Sequence, residues 1–352
     1  MNHQDTYYKD YLALNKILNA QERENPEAHD EMLFIIIHQA YELWFKQIIF
    51  ELDSVLEIFS QPQIADNSPD IYVANHRLAR IVSILKVLVQ QIDLMETMTS
   101  LDFLDFRDYL RPASGFQGTQ FKLIEAKLGL EMPERHGKQY YTSQLRPEDK
   151  SKIESIEKET SLITLLNNWL ERMPFFKRKK LWKEYQPLAT PIKGLHPFWS
   201  DYLKIYSDSL LPPERSNIRM FKKIFIEETG EYSRKFSRLA NRNALFIVLY
   251  RDFPLLQPAF RLLNILLEID EQLSAWRFRH MFMVHRIIGT RVGTGGSTGK
   301  GYLKAAMDKH IIFKEVADLT TFLIARHNLP PLPHRLQKRL GFLDHKDLLH
   351  IP

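Results

Sequence analysis

The stretch DEMLFIIIHQAYELWFKQIIFELDSVLEIF, residues 30–59, decides the fold class. Its apolar residues recur at intervals of three and four, so they share one broad stripe of a helix. Asp30 is a residue type that caps helix N-termini, and Glu31 places a negative charge in the first turn. The sequence therefore predicts one long helix that begins after Asp30 and reaches about Phe59.

The same periodicity extends over most of the chain. No run alternates as a β-strand does, and no internal repeat is present. The predicted fold class is all-α, a helix bundle whose sites are built between facing helices. Further helices are expected over about 72–98, 101–110, 114–129, 148–173, 196–211, 237–251, 258–288 and 311–325.

Residues 131–195 differ in character from the rest. They are charged, contain five prolines and hold a single expected helix. We expect one domain over residues 1–352, with 131–195 as an inserted or mobile helical segment.

Composition excludes several classes of protein. The chain has 352 residues, 44% hydrophobic and 26% charged, the balance of a soluble globular protein. It contains no cysteine, which excludes disulfide frameworks, cysteine-ligated zinc, iron–sulfur clusters, covalently attached haem and cysteine nucleophiles. The net charge of +5 gives little support to a nucleic-acid partner, and the longest apolar run, Met32–Ile37, is too short to span a membrane. We expect a cytoplasmic protein that binds neither nucleic acid nor membrane.

Two histidines lie on apolar helix faces. His38 shares its face with Phe34 and Tyr41, and His280 shares its face with Trp276 and Val284. An imidazole in such surroundings stays neutral, because burial lowers its pKa. Either histidine can be an ordinary core residue, but the surroundings of His280 also suit an axial haem ligand. His285 lies about 140° around the helix from His280, so the two cannot easily bind one ion.

An arginine and a glycine-rich loop complete the candidate groups. Arg107 follows Phe103 by one helical turn and can clamp a carboxylate, although an ordinary ion pair is also open. Residues 289–301 hold six of the chain's 13 glycines. The nucleotide-binding P-loop pattern fails there, since Thr294 stands where its first glycine belongs. The remaining interpretations are a loop that binds a small anion or carboxylate and a flexible connector.

Five blocks of the chain resemble the tryptophan 2,3-dioxygenase family closely. They occur in the same order as in the family, and none of them covers residues 131–230. The blocks are YYKDYLALNKIL (7–18), the stretch 29–59, ILKVLVQQIDLMETMTSLDFLDFRDYLRPASGFQGTQF (84–121), WRFRHMFMVHRIIGTRVGTGGSTG (276–299) and DLTTFLIARHNLP (318–330).

The resemblance implies a haem site with a distal substrate pocket. His280 matches the proximal haem ligand, and His38 matches the distal histidine that hydrogen-bonds the substrate's indole N–H. Phe34 and Phe103 match walls around the indole ring. The adjoining Ile35, Ile36 and Ile37 belong to the same implied substrate-binding stretch.

The resemblance also implies groups for the substrate's amino-acid end. Arg107 matches the arginine that pairs with the carboxylate, and Thr294 matches the threonine that contacts the amino-acid end. Ser114 and Gly115 match a loop lining the distal pocket. An N-terminal segment that closes a neighbouring subunit's pocket is matched by Tyr8, Tyr11 and Leu12.

The implied reaction inserts both atoms of O₂ across the C2–C3 bond of L-tryptophan and gives N-formyl-L-kynurenine. The implied cofactor is one non-covalent haem b per subunit of a cytosolic homotetramer, a dimer of dimers. An alternative within the family acts on a substituted tryptophan or another indole, including as a monooxygenase. A non-catalytic haem-binding protein and a purely structural helical protein are the alternatives outside it.

Overall fold

The computed structural model describes residues 6–62, 69–135, 140–227, 232–289, 291 and 310–341. Within these ranges every regular element is a helix, which confirms the all-α class. The α-helices are α1 (Tyr8–Tyr11), α2 (Leu14–Ile17), α3 (Glu31–Ser60), α4 (Pro69–Met95), α5 (Ser100–Arg107), α6 (Thr119–Leu128), α7 (Tyr140–Ser143), α8 (Pro147–Ile156), α9 (Leu162–Arg172), α10 (Pro197–Ser209), α11 (Ser216–Phe225), α12 (Arg238–Leu249), α13 (Gln257–Ile288), α14 (Lys314–Asp318) and α15 (His334–Leu340).

Three long helices, α3, α4 and α13, form the framework, with α4 packed against both of the others. The stripe expected from residues 30–59 is buried along the second half of α3, and it enters the main core together with one face of α4 and one face of α13. Burial of such a stripe stabilises a helix far more than its intrinsic propensity does. Along α3 the buried apolar residues are Ile37, Phe45, Ile48, Leu52, Val55, Ile58 and Phe59.

The region 131–195 contributes to the core. The single helix expected over 148–173 was wrong: the structure has α8 and α9, and α9 begins after Ser161, a residue type that starts helices. One face of α9, including the buried Trp169, packs in the main core against α12. That residues 131–195 form an inserted segment of a single domain stays a prediction.

Other elements also differ from expectation, and two of them contribute amphipathic segments to the core. The helix expected over 311–325 was wrong, because α14 ends at Asp318 and a 3₁₀ turn, Leu319–Phe322, follows. The buried side chains Val316, Leu319 and Phe322 recur every three residues, which is the period of a 3₁₀ helix. The amphipathic α11 was not expected either. Basic residues interrupt its apolar residues along the sequence, which makes its helical pattern hard to recognise.

Among the described residues, no helix is both long enough and apolar enough to cross a membrane.

The chain beyond residue 310 is fastened to α13 by Asp270. Its carboxylate accepts hydrogen bonds from the backbone N–H groups of Ile312 and Phe313, at 3.1 and 2.5 Å. Burial raises the pKa of Asp270 from 3.8 to about 6, although these N–H groups and Arg277 act in the opposite direction. The folded protein therefore holds this proton to higher pH than the unfolded chain does.

Asp270→Asn should make stability less sensitive to pH. The stability associated with Asp270 is fully present below about pH 4 and is lost as pH rises through about 6. Relative to wild type, the variant's free energy of unfolding should rise by about 2 kcal/mol between pH 4.5 and 7.5. Urea unfolding at both pH values measures this, and a difference that does not change with pH would contradict it.

Candidate active site

An apolar wall forms where α3, the end of α4, α5 and the C-terminal part of α13 meet. Ile37, Phe106 and Ile287 are buried there in a cluster separate from the main core. Partly buried residues from these helices and from the 3₁₀ turn after α5 pack against them, namely Leu33, Phe34, Tyr41, Phe103, Leu110, Met283 and Ile288. This second cluster brings together the segments that carry His38, Arg107 and the end of the His280 helix.

His38 lies on α3 at the edge of this cluster. Its Nδ1 is 2.7 Å from the carbonyl oxygen of Phe34. A carbonyl oxygen only accepts, so Nδ1 carries a proton and, in the neutral ring, Nε2 is an acceptor. Burial lowers the pKa of His38, which keeps the ring neutral near pH 7. The geometry therefore presents Nε2 as an acceptor for an N–H donor.

One aromatic ring packs on His38, and two further rings pack against that ring. The ring of Phe34 lies 4.1 Å from the imidazole, between centroids, and 5.8 Å from Phe103. Phe106 packs edge-on against both phenylalanines, at 5.4 and 5.3 Å. These rings make a wall that suits a flat aromatic ligand.

His280 lies on α13 with its ring stacked on Trp276, 5.0 Å between centroids and 12° between planes. Burial lowers its pKa to about 4, and His38 contributes a smaller lowering. The ring is therefore neutral and has a lone pair for a metal. Its Nδ1 is buried without a hydrogen-bond partner among the described residues.

His38 and His280 lie on neighbouring helices: the ring of Tyr41, one turn after His38, packs 6.2 Å from Trp276, which stacks on His280. The two histidines are close enough for a charge on His38 to lower the pKa of His280. The His38 side chain is exposed, although the surrounding protein lowers its pKa. Two neutral imidazoles close to an apolar wall fit a haem, which needs one axial nitrogen and apolar contact for its ring.

Arg107 is the last residue of α5 and is buried, 6% exposed. It follows Phe103 by one helical turn, and the ring of Phe103 packs against Phe34. The helix is fixed at its start by Thr99 and Asp102, which form a capping box. A buried guanidinium beside this aromatic wall can bind a planar carboxylate with two hydrogen bonds.

The Ser114–Gly115 loop lies beside α3. The Ser114 hydroxyl accepts from the Phe116 N–H at 3.3 Å, and nothing lies within 4 Å of where a Gly115 side chain would begin. Gln120 just beyond the loop donates to the Glu42 carboxylate at 2.7 Å, one helical turn from His38. The structure therefore brings this loop to the His38 side of the site.

The other predicted site residues are distributed as follows. Ile37 is buried in the second cluster, Ile35 is half-buried and Ile36 is exposed. Three residues lie on the surface of the N-terminal segment: Tyr8, Tyr11 and Leu12 are 70%, 76% and 36% exposed. Thr294 lies outside the described residues.

The sequence analysis did not assign Phe106 to the site, and it placed Trp276 only on the same helix face as His280. Phe106 is fully buried between Phe34 and Phe103, and Trp276 contacts His280 directly. Both had a signal in the sequence, since Phe106 lies three residues after Phe103 and Trp276 lies one turn before His280.

Comparison with known proteins identifies the family of the chain. A family profile described as tryptophan 2,3-dioxygenase matches residues 1–191 and 217–323. The chain belongs to the tryptophan 2,3-dioxygenase family. The tryptophan 2,3-dioxygenase of Bdellovibrio bacteriovorus is 42% identical, over 97% of this chain and 99% of its own. Those of Dictyostelium discoideum and Rattus norvegicus are 40% and 38% identical, over 96% and 97% of this chain and 88% and 87% of theirs.

The family match is wider than the five blocks suggested. It includes most of the region 131–230, which those blocks leave out. This agrees with the position of α9 in the main core. A loosely attached segment would not need such a buried face.

Proposed function

We propose that this chain is a haem-dependent tryptophan 2,3-dioxygenase that converts L-tryptophan and O₂ into N-formyl-L-kynurenine. The observation that carries the proposal is the pair of neutral histidines, His38 and His280, brought together by neighbouring helices beside an aromatic wall. Membership of the family supports the substrate and the reaction.

His280 would hold the iron of a non-covalent haem b, one per subunit. Its neutral imidazole supports this role, because iron binds the unprotonated nitrogen. The stacked Trp276 limits rotation of the ring, which favours a fixed direction for the iron bond. When bound, the haem supplies the redox chemistry that lets O₂ react with the indole.

The remaining residues would bind and orient tryptophan. Arg107 pairs with the carboxylate, while Phe34 and Phe103 pack against the indole ring and exclude water. His38 Nε2 accepts a hydrogen bond from the indole N–H, and this bond fixes the rotation of the indole ring. The other groups proposed to line the substrate site are Ile35, Ile36, Ile37, Ser114, Gly115 and Thr294.

His38 acts in this proposal as an orienting acceptor. His38→Ala removes both the imidazole ring and its hydrogen bond to the substrate. It should lower kcat/KM for tryptophan about tenfold, the loss expected from one hydrogen bond. The partner group can be removed from the substrate instead, with 1-methyltryptophan. With this substrate His38→Ala should cause no tenfold loss, because the indole no longer has an N–H that could donate a hydrogen bond to His38. An equal loss with both substrates would contradict the hydrogen bond.

The reaction is tested by product mass. Anaerobically reduced holoenzyme is mixed with tryptophan and then with ¹⁸O₂. We expect a product that has gained two labelled oxygen atoms. A gain of one would instead favour the monooxygenase alternative, and no product at all would overturn the proposed function.

We also propose a homotetramer in the cytoplasm. Ile36, Leu43 and Phe50 are exposed on α3 at intervals of seven residues, so they form one apolar stripe. Such a stripe supports contact with a second subunit, and the exposed Tyr8, Tyr11 and Leu12 support docking of the N-terminal segment on a neighbour. Light scattering should give the mass of four chains.

A further inference from the structure

A buried cluster of charges lies between α6 and α13. Glu125 of α6 is 4% exposed, and its carboxylate contacts Arg135 Nη1 at 2.5 Å, Arg277 Nη2 at 2.6 Å and His310 Nδ1 at 3.4 Å. Burial raises the pKa of Glu125, but Arg135, His310 and Arg277 outweigh it and hold the pKa well below its usual range. The carboxylate is therefore ionised, and the two arginines compensate its charge.

Arg277 connects three parts of the chain at the level of the haem ligand. It lies three residues before His280 on α13 and is 3% exposed. Besides its bond to Glu125, its Nη1 donates to the His310 carbonyl oxygen at 3.1 Å. The guanidinium thus fixes one point of α13 to α6 and to the chain that continues from residue 310.

The same helix, α6, also contacts the opposite wall of the site. Gln120 binds Glu42 on α3, and Lys122 donates to the carbonyls of Phe116 and Gly118 at 2.6 and 3.1 Å. The ring of Phe121 packs 4.9 Å from Trp276. α6 therefore touches both the His38 helix with its loop and the His280 helix.

We propose that Arg277 and Glu125 are positioning residues that fix the His280 imidazole relative to His38 and the Ser114–Gly115 loop. Apolar contacts alone would tolerate small sliding of α13 along α6. Sliding that separates Arg277 from Glu125 leaves a buried charge without its partner, which is strongly unfavourable. The ion pair therefore selects one position of α13. This inference rests on the proposed function, since it concerns the relative position of the two histidines.

The test compares Arg277→Met with Arg80→Met. Arg80 Nη1 also contacts a buried carboxylate, that of Glu51, at 2.6 Å. Glu51 lies in the second half of α3, about 20 Å along the helix from His38. Haem-reconstituted variants are measured for kcat, KM, the ferrous Soret maximum and the rate of haem transfer to excess apomyoglobin. Arg277→Met should lower kcat about tenfold with KM within about twofold, shift the Soret maximum and speed haem transfer about tenfold. Arg80→Met should change none of these.

Arg277→Lys keeps the test decisive if Arg277→Met does not fold. Lysine retains the charge facing Glu125 but cannot also reach the His310 carbonyl in the same fork geometry. It should lower kcat about threefold and restore most of the Soret position. Unchanged kcat, Soret maximum and haem transfer in the foldable Arg277 variants, with only thermal stability reduced, would overturn the inference. Wild-type protein without haem binding or turnover would instead contradict the proposed function.

Discussion

His280→Ala should purify without a Soret band, and tryptophan turnover should fall at least about a hundredfold. The reason is that the substitution removes the buried neutral nitrogen proposed to bind the iron. Apolar contacts from the wall would remain, so weak haem association is expected only at high haem concentration. Absorption after reconstitution with excess haem and gel filtration measures the effect.

His285→Ala is the matched control for this loss. His285 lies on the same helix, and its Nδ1 is likewise buried without a partner among the described residues. It lies about 140° around the helix from His280 and should keep a full haem complement. A full complement in His280→Ala, or loss of haem in both variants to the same degree, would contradict the assignment of His280.

Arg107→Ala should raise KM for tryptophan roughly a hundredfold, with haem content unchanged. The substitution leaves the substrate carboxylate without a charge-assisted partner in a site shielded from water, a loss of about 3 kcal/mol. Steady-state kinetics and the Soret absorbance measure the two quantities. Arg107→Lys should recover part of the loss, because a lysine provides the charge without the planar fork.

Two comparisons separate this role from a structural one. Arg111→Ala removes an exposed arginine four residues further on, paired with Asp108 at 3.4 Å, and should leave KM unchanged. Tryptamine lacks the carboxylate, so it should be a poor substrate for wild type, and Arg107→Ala should weaken it no further. Loss of haem in Arg107→Ala would show that the residue stabilises the fold rather than the substrate.

Periodicity in the sequence was sufficient to predict the long helices. α3 and α13 carry stripes many turns long, so their bounds lie within a few residues of expectation. His38 and His280 were recognised because a histidine is conspicuous on an apolar face. The shorter elements were harder to predict, since α9, α11 and the turn after Asp318 depend on contacts from distant parts of the chain.

The contacts between helices could not be predicted in this way. Arg277 and Glu125 are 152 residues apart, and nothing in the spacing around either one indicates the other. The tautomer of His38 likewise depends on a carbonyl oxygen whose position only the folded helix defines. The sequence therefore predicts which groups the site contains, whereas the structure supplies the neighbours that set their protonation and position.

α3 has several sets of contacts around its circumference. One side carries His38 and Phe34, another packs in the main core, and a third exposes the stripe of Ile36, Leu43 and Phe50. Several of its polar positions are also occupied by hydrogen bonds, as when the Tyr41 hydroxyl donates to the Leu88 carbonyl at 2.7 Å. Few positions of this helix can therefore be substituted without disturbing one of these contacts. Divergence within the family should accumulate in elements such as α11, while α3 changes slowly because most substitutions there would disturb one of its surfaces.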